Sequence, residues 1–221
     1  MKQDRFELLI FDWDGTLCDS ASMIVGSMQQ AIRDLNLPPR EDADISQLIG
    51  LGLSEGMQLL YPEIKTDQLL AWLGQYRKSY VGEKPKEPPL FEGVESAMCQ
   101  LSGAGFRLAV ATGKSRAGLD RSLRGFPQIG RLLHTSRAAD ETANKPDPLM
   151  LREILEMFDL PAERALMVGD TEYDAAMARA IGMPMLGVTC GVHAPERILQ
   201  AGAMALIESV SELPDWLSAN P

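Results

Sequence analysis

Cysteine, histidine, basic residues and long apolar runs are all scarce in this 221-residue chain, and each scarcity excludes something. Cys18, Cys99 and Cys190 are odd in number, widely spaced and form no C-x-x-C pair. That argues against a disulfide framework and against a zinc site, and for a reducing cytoplasm. His134 and His193 are the two histidines, too few for a His-rich metal site. Twenty-one Lys and Arg face thirty-one Asp and Glu, a formal charge of −10. Nucleic-acid binders need clustered cations to displace counterions, so no nucleic-acid partner is expected. Aromatic residues make up only 6%, and a chain poor in aromatics and rich in acid can be disordered. Here Leu, Ile, Val and Met recur throughout, and 45% apolar against 24% charged residues is the balance of a soluble globular protein. The longest apolar runs, such as Leu8-Leu9-Ile10-Phe11, fall far short of the ~20 residues that span a bilayer. The apolar stretch after Met1-Lys2-Gln3-Asp4-Arg5 is too short for a signal-peptide core, so a cytoplasmic protein with no membrane partner is expected.

What is present has a clear order. Glu7 to Phe11 reads as a buried strand that ends abruptly in Asp12-Trp13-Asp14-Gly15. Helical periodicity follows: Ile24, Met28, Ala31, Ile32 and Leu35 share a face, and Pro38-Pro39 stops that helix. Shorter helices are predicted near Ile45–Gly50 and Leu53–Tyr61, and a longer one over Asp67–Val81, before a proline-rich linker at Gly82–Pro89. Beyond it, helices and strands alternate. The predicted strands are Phe106–Ala111, a weaker Arg131–Thr135, Ala165–Val168 and Met185–Val188, followed by a helical tail. The predicted helices are the stripe Val94, Ala97, Met98, Leu101, then Ser115–Arg124, the stripe Leu151 to Phe158, and an Ala-rich one from Ala175 to Ala180. This alternation predicts an α/β fold: a Rossmann-like, mostly parallel sheet with helices on both faces, plus an inserted all-helical domain. The expected division is an α/β core of residues 1–18 and 88–221, interrupted by a helical unit at 19–87.

In such sheets ligands bind outside the carboxyl ends of the strands. Asp12 and Asp14 follow the first strand, Thr112 the second and Asp170 a later one, while Lys145 sits in a turn before a helix. Clustered Asp12, Asp14, Asp170 and Asp174 would repel one another unless a cation intervened. Hard oxygen ligands without Cys or His favour Mg²⁺ over zinc or copper. Lys145 as a point charge and Thr112 as a hydroxyl donor suit a phosphoryl group, so the chemistry reads as phosphate transfer.

Taken together, Asp12-Trp13-Asp14-Gly15-Thr16-Leu17, Thr112-Gly113, Lys145-Pro146 and Gly169-Asp170-Thr171-Glu172-Tyr173-Asp174 resemble the four ordered motifs of the haloacid dehalogenase superfamily. The helical insertion after the first motif resembles that superfamily's first cap type, as in phosphoglycolate-phosphatase-like members. The resemblance implies that Asp12 attacks phosphorus to give an aspartyl-phosphate, with Asp14 as general acid and then base. It implies that the Asp12 and Asp170 side chains and the Asp14 carbonyl hold Mg²⁺. Thr112, Lys145 and backbone amides near Trp13 and Gly113 would hold the phosphoryl oxygens, and Asp174 would order metal-bound water or Lys145. The implied substrate is a small phosphorylated metabolite, handled by a monomer or weak dimer. True dehalogenases lack an aspartate at the position of Asp14, so a phosphatase or a phosphomutase is implied. Position 13 is Trp where Leu or Phe is commoner, and Gly113 stands where Asn is usual.

Bland readings accompany these. Asp12 and Asp14 alone could be turn residues, Thr112 a helix cap, Lys145 a solvated lysine, and Asp19 and Ser20 caps of the first insertion helix. Gly113-Lys114-Ser115 imitates the end of a P-loop, but the earlier glycine that motif needs falls on Leu108. Gly52-Leu53-Ser54-Glu55-Gly56 imitates a nucleophile elbow without the strand it requires, which leaves a serine esterase using Ser54 with His134 or His193 as a distant alternative. A non-catalytic phosphate-binding protein is another. The loop Gly50-Leu51-Gly52-Leu53 reads either as the part of the insertion that looks into the site or as a plain glycine turn.

Overall fold

The computed structural model describes residues 5–82 and 87–220. Leu8–Phe11 forms β1, and all four of its side chains are buried. A run without a polar face suits a strand covered on both sides. Successive side chains point oppositely, so Leu9 and Phe11 enter one apolar cluster and Leu8 and Ile10 another.

After β1 come α1 (Ala21–Asp34), α2 (Asp42–Ser46), α3 (Leu53–Leu60) and α4 (Thr66–Val81). These four helices share a separate apolar cluster that includes Ile24, Met28, Ile32, Ile45, Met57 and Trp72. The insertion leaves and returns at one point: the Asp19 amide donates to Pro89 O at 2.8 Å, and the Phe91 amide to Leu17 O at 3.1 Å. Half of the predicted linker, Glu83 to Lys86, lies outside the described residues.

The chain then runs α5 (Val94–Gly103), β2 (Arg107–Thr112), α6 (Arg116–Gly125), α7 (Pro127–Leu132), β3 (Thr135–Ala138), α8 (Leu149–Phe158), β4 (Ala165–Gly169), α9 (Glu172–Arg179), β5 (Met185–Val188), α10 (Pro195–Ala201), β6 (Ala205–Ile207) and α11 (Leu213–Ala219). The sheet has the order β3-β2-β1-β4-β5-β6, with every pairing parallel. Val94, Leu119, Ile129 and Leu213 cover one face, from α5, α6, α7 and α11. Met150, Ala175 and Ile198 cover the other, from α8, α9 and α10. The order reverses direction at β1, the topological switch point where open α/β sheets form their crevice. Among the described residues no helix is long and apolar enough to cross a membrane.

Two expectations fail at the sheet edges. The strand expected at Arg131–Thr135 is displaced: Pro127 at its first turn starts α7, which runs through Arg131 and Leu132, and the strand begins only at Thr135. The helical tail contains an additional strand, the three-residue β6. Both are edge strands, short and only partly buried, so neither carries the apolar pattern that marks a central strand. The first short helix of the insertion also lies earlier than expected, at Asp42–Ser46.

Candidate active site

The strand ends gather the predicted residues at one edge. The Asp12 amide donates to Val168 O at 2.9 Å, extending the β1–β4 ladder by one residue and fixing Asp12 at the centre of that edge. Asp12, Asp170 and Asp174 are all buried, with carboxylate oxygens within 4.8 Å of one another. Lys145, in the loop between β3 and α8, sends Nζ between two of them, 2.8 Å from Asp12 Oδ1 and 2.7 Å from Asp174 Oδ1. It is 2% exposed, so the solvated-lysine reading fails.

The other oxygens differ in their surroundings. Asp170 Oδ1 accepts from the Thr16 hydroxyl at 2.8 Å, and Oδ2 from the Val192 amide at 3.0 Å. Asp174 Oδ2 accepts from the Thr171 hydroxyl at 2.7 Å in a capping box that starts α9. Asp12 Oδ2 is buried with no donor among the described residues. The backbone crowds Asp170 closely: a Cβ on Gly15, whose φ is +83°, would lie 2.3 Å from Asp170 Oδ2, and one on Gly191 would lie 2.1 Å away. An acceptor without a donor, three carboxylates and bare glycine backbone around them make a donor set that fits a small hard cation.

Electrostatics point the same way. Burial, with Lys145 opposing it and Asp174 and Asp170 adding repulsion, holds the Asp12 carboxyl well above the usual range. Burial and the neighbouring Asp174 push Asp170 up to about 7. Burial works against the Lys145 charge, yet Asp12 and Asp174 hold its proton affinity above the ordinary lysine value. One lysine does not satisfy three buried carboxylates.

Asp14 is held separately. Its Oδ1 accepts from the Ser20 hydroxyl at 2.6 Å, and Lys114 Nζ reaches both oxygens at 2.7 and 2.8 Å. Ser20 does occupy the N-cap position of α1, but its side chain makes no capping bond, so the expected cap is instead an anchor for Asp14. Thr112 is not the cap of α6 either; Ser115 is, accepting from the Gly118 amide. The Thr112 hydroxyl is buried and accepts from the Lys114 amide at 3.2 Å. Lys114 is a residue that sequence reasoning missed, dismissed with the false P-loop. The available signal was its place just past the end of β2, in a bend that follows Thr112 at the sheet's carboxyl edge. The Trp13 side chain is fully buried and packs near Phe126, so only its backbone faces the edge.

A cavity of about 530 Å³ opens from Asp12, Asp14 and Thr112 towards α1 and α4. Gly50, Leu51, Gly52 and Leu53 line it, which favours the first of the two readings of that loop. A Cβ on Gly113 would lie 2.6 Å from Gly50 O and 2.8 Å from Leu51 O, so bare backbone is what lets the insertion seat on the sheet edge. Gly113→Ala is therefore expected to push that loop away, lowering stability by about 1–3 kcal/mol through overpacking. Calorimetry on both proteins checks it; an unchanged Tm would show that the loop shifts freely.

The esterase alternative finds no support. Ser54 is the second residue of α3, reached without a strand. His193 Nδ1 accepts from the Glu172 amide and Nε2 contacts Gln47 O, so both ring nitrogens are occupied, and His134 Nδ1 accepts from the Leu108 amide.

A parallel α/β sheet with an acidic, lysine-braced cluster at its switch point and a helical insertion beside it defines a class of hydrolases with an α/β core. The chain belongs to the haloacid dehalogenase-like hydrolase family, whose model matches residues 9–188. It is 33% identical over 210 residues to the protein named "Probable phosphatase IndB" of Dickeya dadantii, covering 93% of this chain and 91% of that one. It is 31% identical over 217 residues to a plasmid phosphoglycolate phosphatase of Cupriavidus necator, covering 95% and 92%. The crystal structure of a hydrolase from Pseudomonas syringae shares the fold, with a TM-score of 0.86 at 22% identity over 97% of this chain and 98% of that one.

Proposed function

We propose that the protein is a Mg²⁺-dependent phosphatase of a small phosphate monoester, working through an aspartyl-phosphate on Asp12, with the helical unit at 19–87 as its cap. The carrying observation is Asp12 itself: buried at the centre of the sheet edge, one oxygen paired with Lys145 and the other free. Relatives named phosphatases support the same reading. Asp12 Oδ2 attacks phosphorus, the P–O ester bond breaks, and Asp14 gives its proton to the departing alcohol oxygen. Water then attacks the phosphorus, Asp14 takes the water proton, and inorganic phosphate leaves a restored Asp12 carboxylate. Ser20 and Lys114 fix the Asp14 carboxylate at the cavity floor. Lys145 holds Asp12 and Asp174 in place, and the Thr112 hydroxyl with the Trp13 and Gly113 amides binds the phosphoryl oxygens. The Asp12 and Asp170 side chains and the Asp14 carbonyl would hold Mg²⁺, which supplies positive charge against the phosphoryl oxygens.

Phosphate release from a panel of monoesters tests this, with the protein stripped by EDTA and then given MgCl₂. Loss and recovery are expected; full turnover in chelator would sink the metal assignment.

A linked effect appears in stability. Asp12 and Asp170 have folded-state pKa values above the unfolded value of about 4, so the folded protein binds more protons between about pH 4 and 7. Without metal, that contribution is present at low pH and lost as pH rises towards 7. The metal-free Tm is therefore expected to fall from pH 5.5 to 8, and MgCl₂ to raise it more at pH 8 than at pH 5.5. A Mg²⁺ effect independent of pH would argue against these ligands.

A further inference from the structure

The cavity also speaks to what is esterified to the phosphate, granted the phosphatase reading above. Its 530 Å³ lies within the range of pockets that enclose drug-sized ligands, roughly 300–1,000 Å³. A two-carbon acid would leave much of it filled with water. Its insertion-side wall is largely apolar, formed by Ile24 and Met28 of α1, Leu73 and Tyr76 of α4, and Leu51 and Leu53 of the loop.

The cations in that cavity matter as much as the apolar wall. Lys114 is spent on Asp14, with both contacts under 3 Å. Arg121 is spent on Glu87, at 2.6 Å, and lies over the Tyr80 ring. Among the described residues Arg77, on the exposed side of α4, is the cavity cation without an ion pair. Lys114 and Arg121 are thus each held by an acidic partner, so a small carboxylate beside the ester oxygen would have to draw one of them away or reach as far as Arg77, and would lose hydration in doing so. An apolar body there instead meets Ile24, Met28 and Leu73 and displaces water from them.

We infer that the substrate is a phosphate monoester whose alcohol carries an apolar body of about the size of one ring next to the ester oxygen, rather than a short hydroxy acid. Polar groups further along that alcohol would lie towards Arg77.

Benzyl phosphate and phosphoglycolate separate the two classes, because both are primary alkyl esters and differ in the body beside the CH₂. With Mg²⁺, kcat/KM for benzyl phosphate is expected to exceed that for phosphoglycolate by about tenfold or more, a modest return for burying a ring. Leu73→Trp fills the space and is expected to lower the ratio of the two kcat/KM values at least about fivefold. Should that variant fold poorly, Met28→Trp makes the same test from α1, with Tm as the check. A parent enzyme that prefers phosphoglycolate, or a ratio that both fillings leave unchanged, overturns the inference and leaves the phosphatase reading intact. If neither ester, nor any other in the panel, releases phosphate with Mg²⁺, the phosphatase reading itself falls and the inference with it.

Discussion

Asp12→Asn is expected to lower kcat by roughly 10⁴-fold or more while leaving the protein folded, as loss of a covalent nucleophile does elsewhere. Asn keeps the shape of Asp and removes the attacking oxygen's charge. The fold should survive because Lys145 retains its 2.7 Å contact with Asp174. Removing one member of a mutually repelling group also relieves the burial and repulsion that raise the Asp12 carboxyl. The metal-free Tm is therefore expected to stay level or rise. Phosphate-release kinetics with calorimetry on the same samples checks both halves. Turnover within tenfold of the parent would remove Asp12 from the role of nucleophile.

Lys145→Met reverses that pattern and should strike stability as well as activity. It strands Asp12 and Asp174 as buried carboxylates without a cation, and breaking a buried pair this way costs about 3–5 kcal/mol. At roughly 2–4 °C per kcal/mol for a chain of this length, the metal-free Tm at pH 8 should fall by roughly 6–20 °C. Stranded Asp12, already held above the usual range by burial, can escape by taking up a proton, so the deficit should shrink as pH falls towards 5. Adding Asp174→Asn should recover part of the loss, because the two positions share one contact. A Tm drop under about 2 °C at pH 8 would mean that Lys145 is not the brace its position implies.

These expectations rest on residues whose legibility in the sequence was uneven. Asp12, Asp14, Thr112 and Asp170 were readable because each follows a strongly apolar central strand, and parallel strands bring their carboxyl ends to one edge. The edge strands β3 and β6 were misplaced or missed, because half-buried chain at a sheet margin need not be apolar. Ser20 looked like a helix cap, since local spacing records which backbone a side chain can reach and not which distant group competes for it. Lys114 looked like debris of a false motif, although its partner Asp14 lies a hundred residues away.

The charge of −10 shows the same division. By itself the sequence determined the α/β alternation, the helical insertion and the acidic residues at the strand ends, because apolar periodicity and strand-end position are local properties. The tertiary structure alone decided how the two lysines divide the acids, with Lys145 bracing Asp12 and Asp174 and Lys114 bracing Asp14. It alone produced the cavity between insertion and sheet. Ion pairing and enclosure depend on which distant segments meet, and that becomes fixed only when β1, β2 and β4 align and the Gly50–Leu53 loop comes to rest on Gly113.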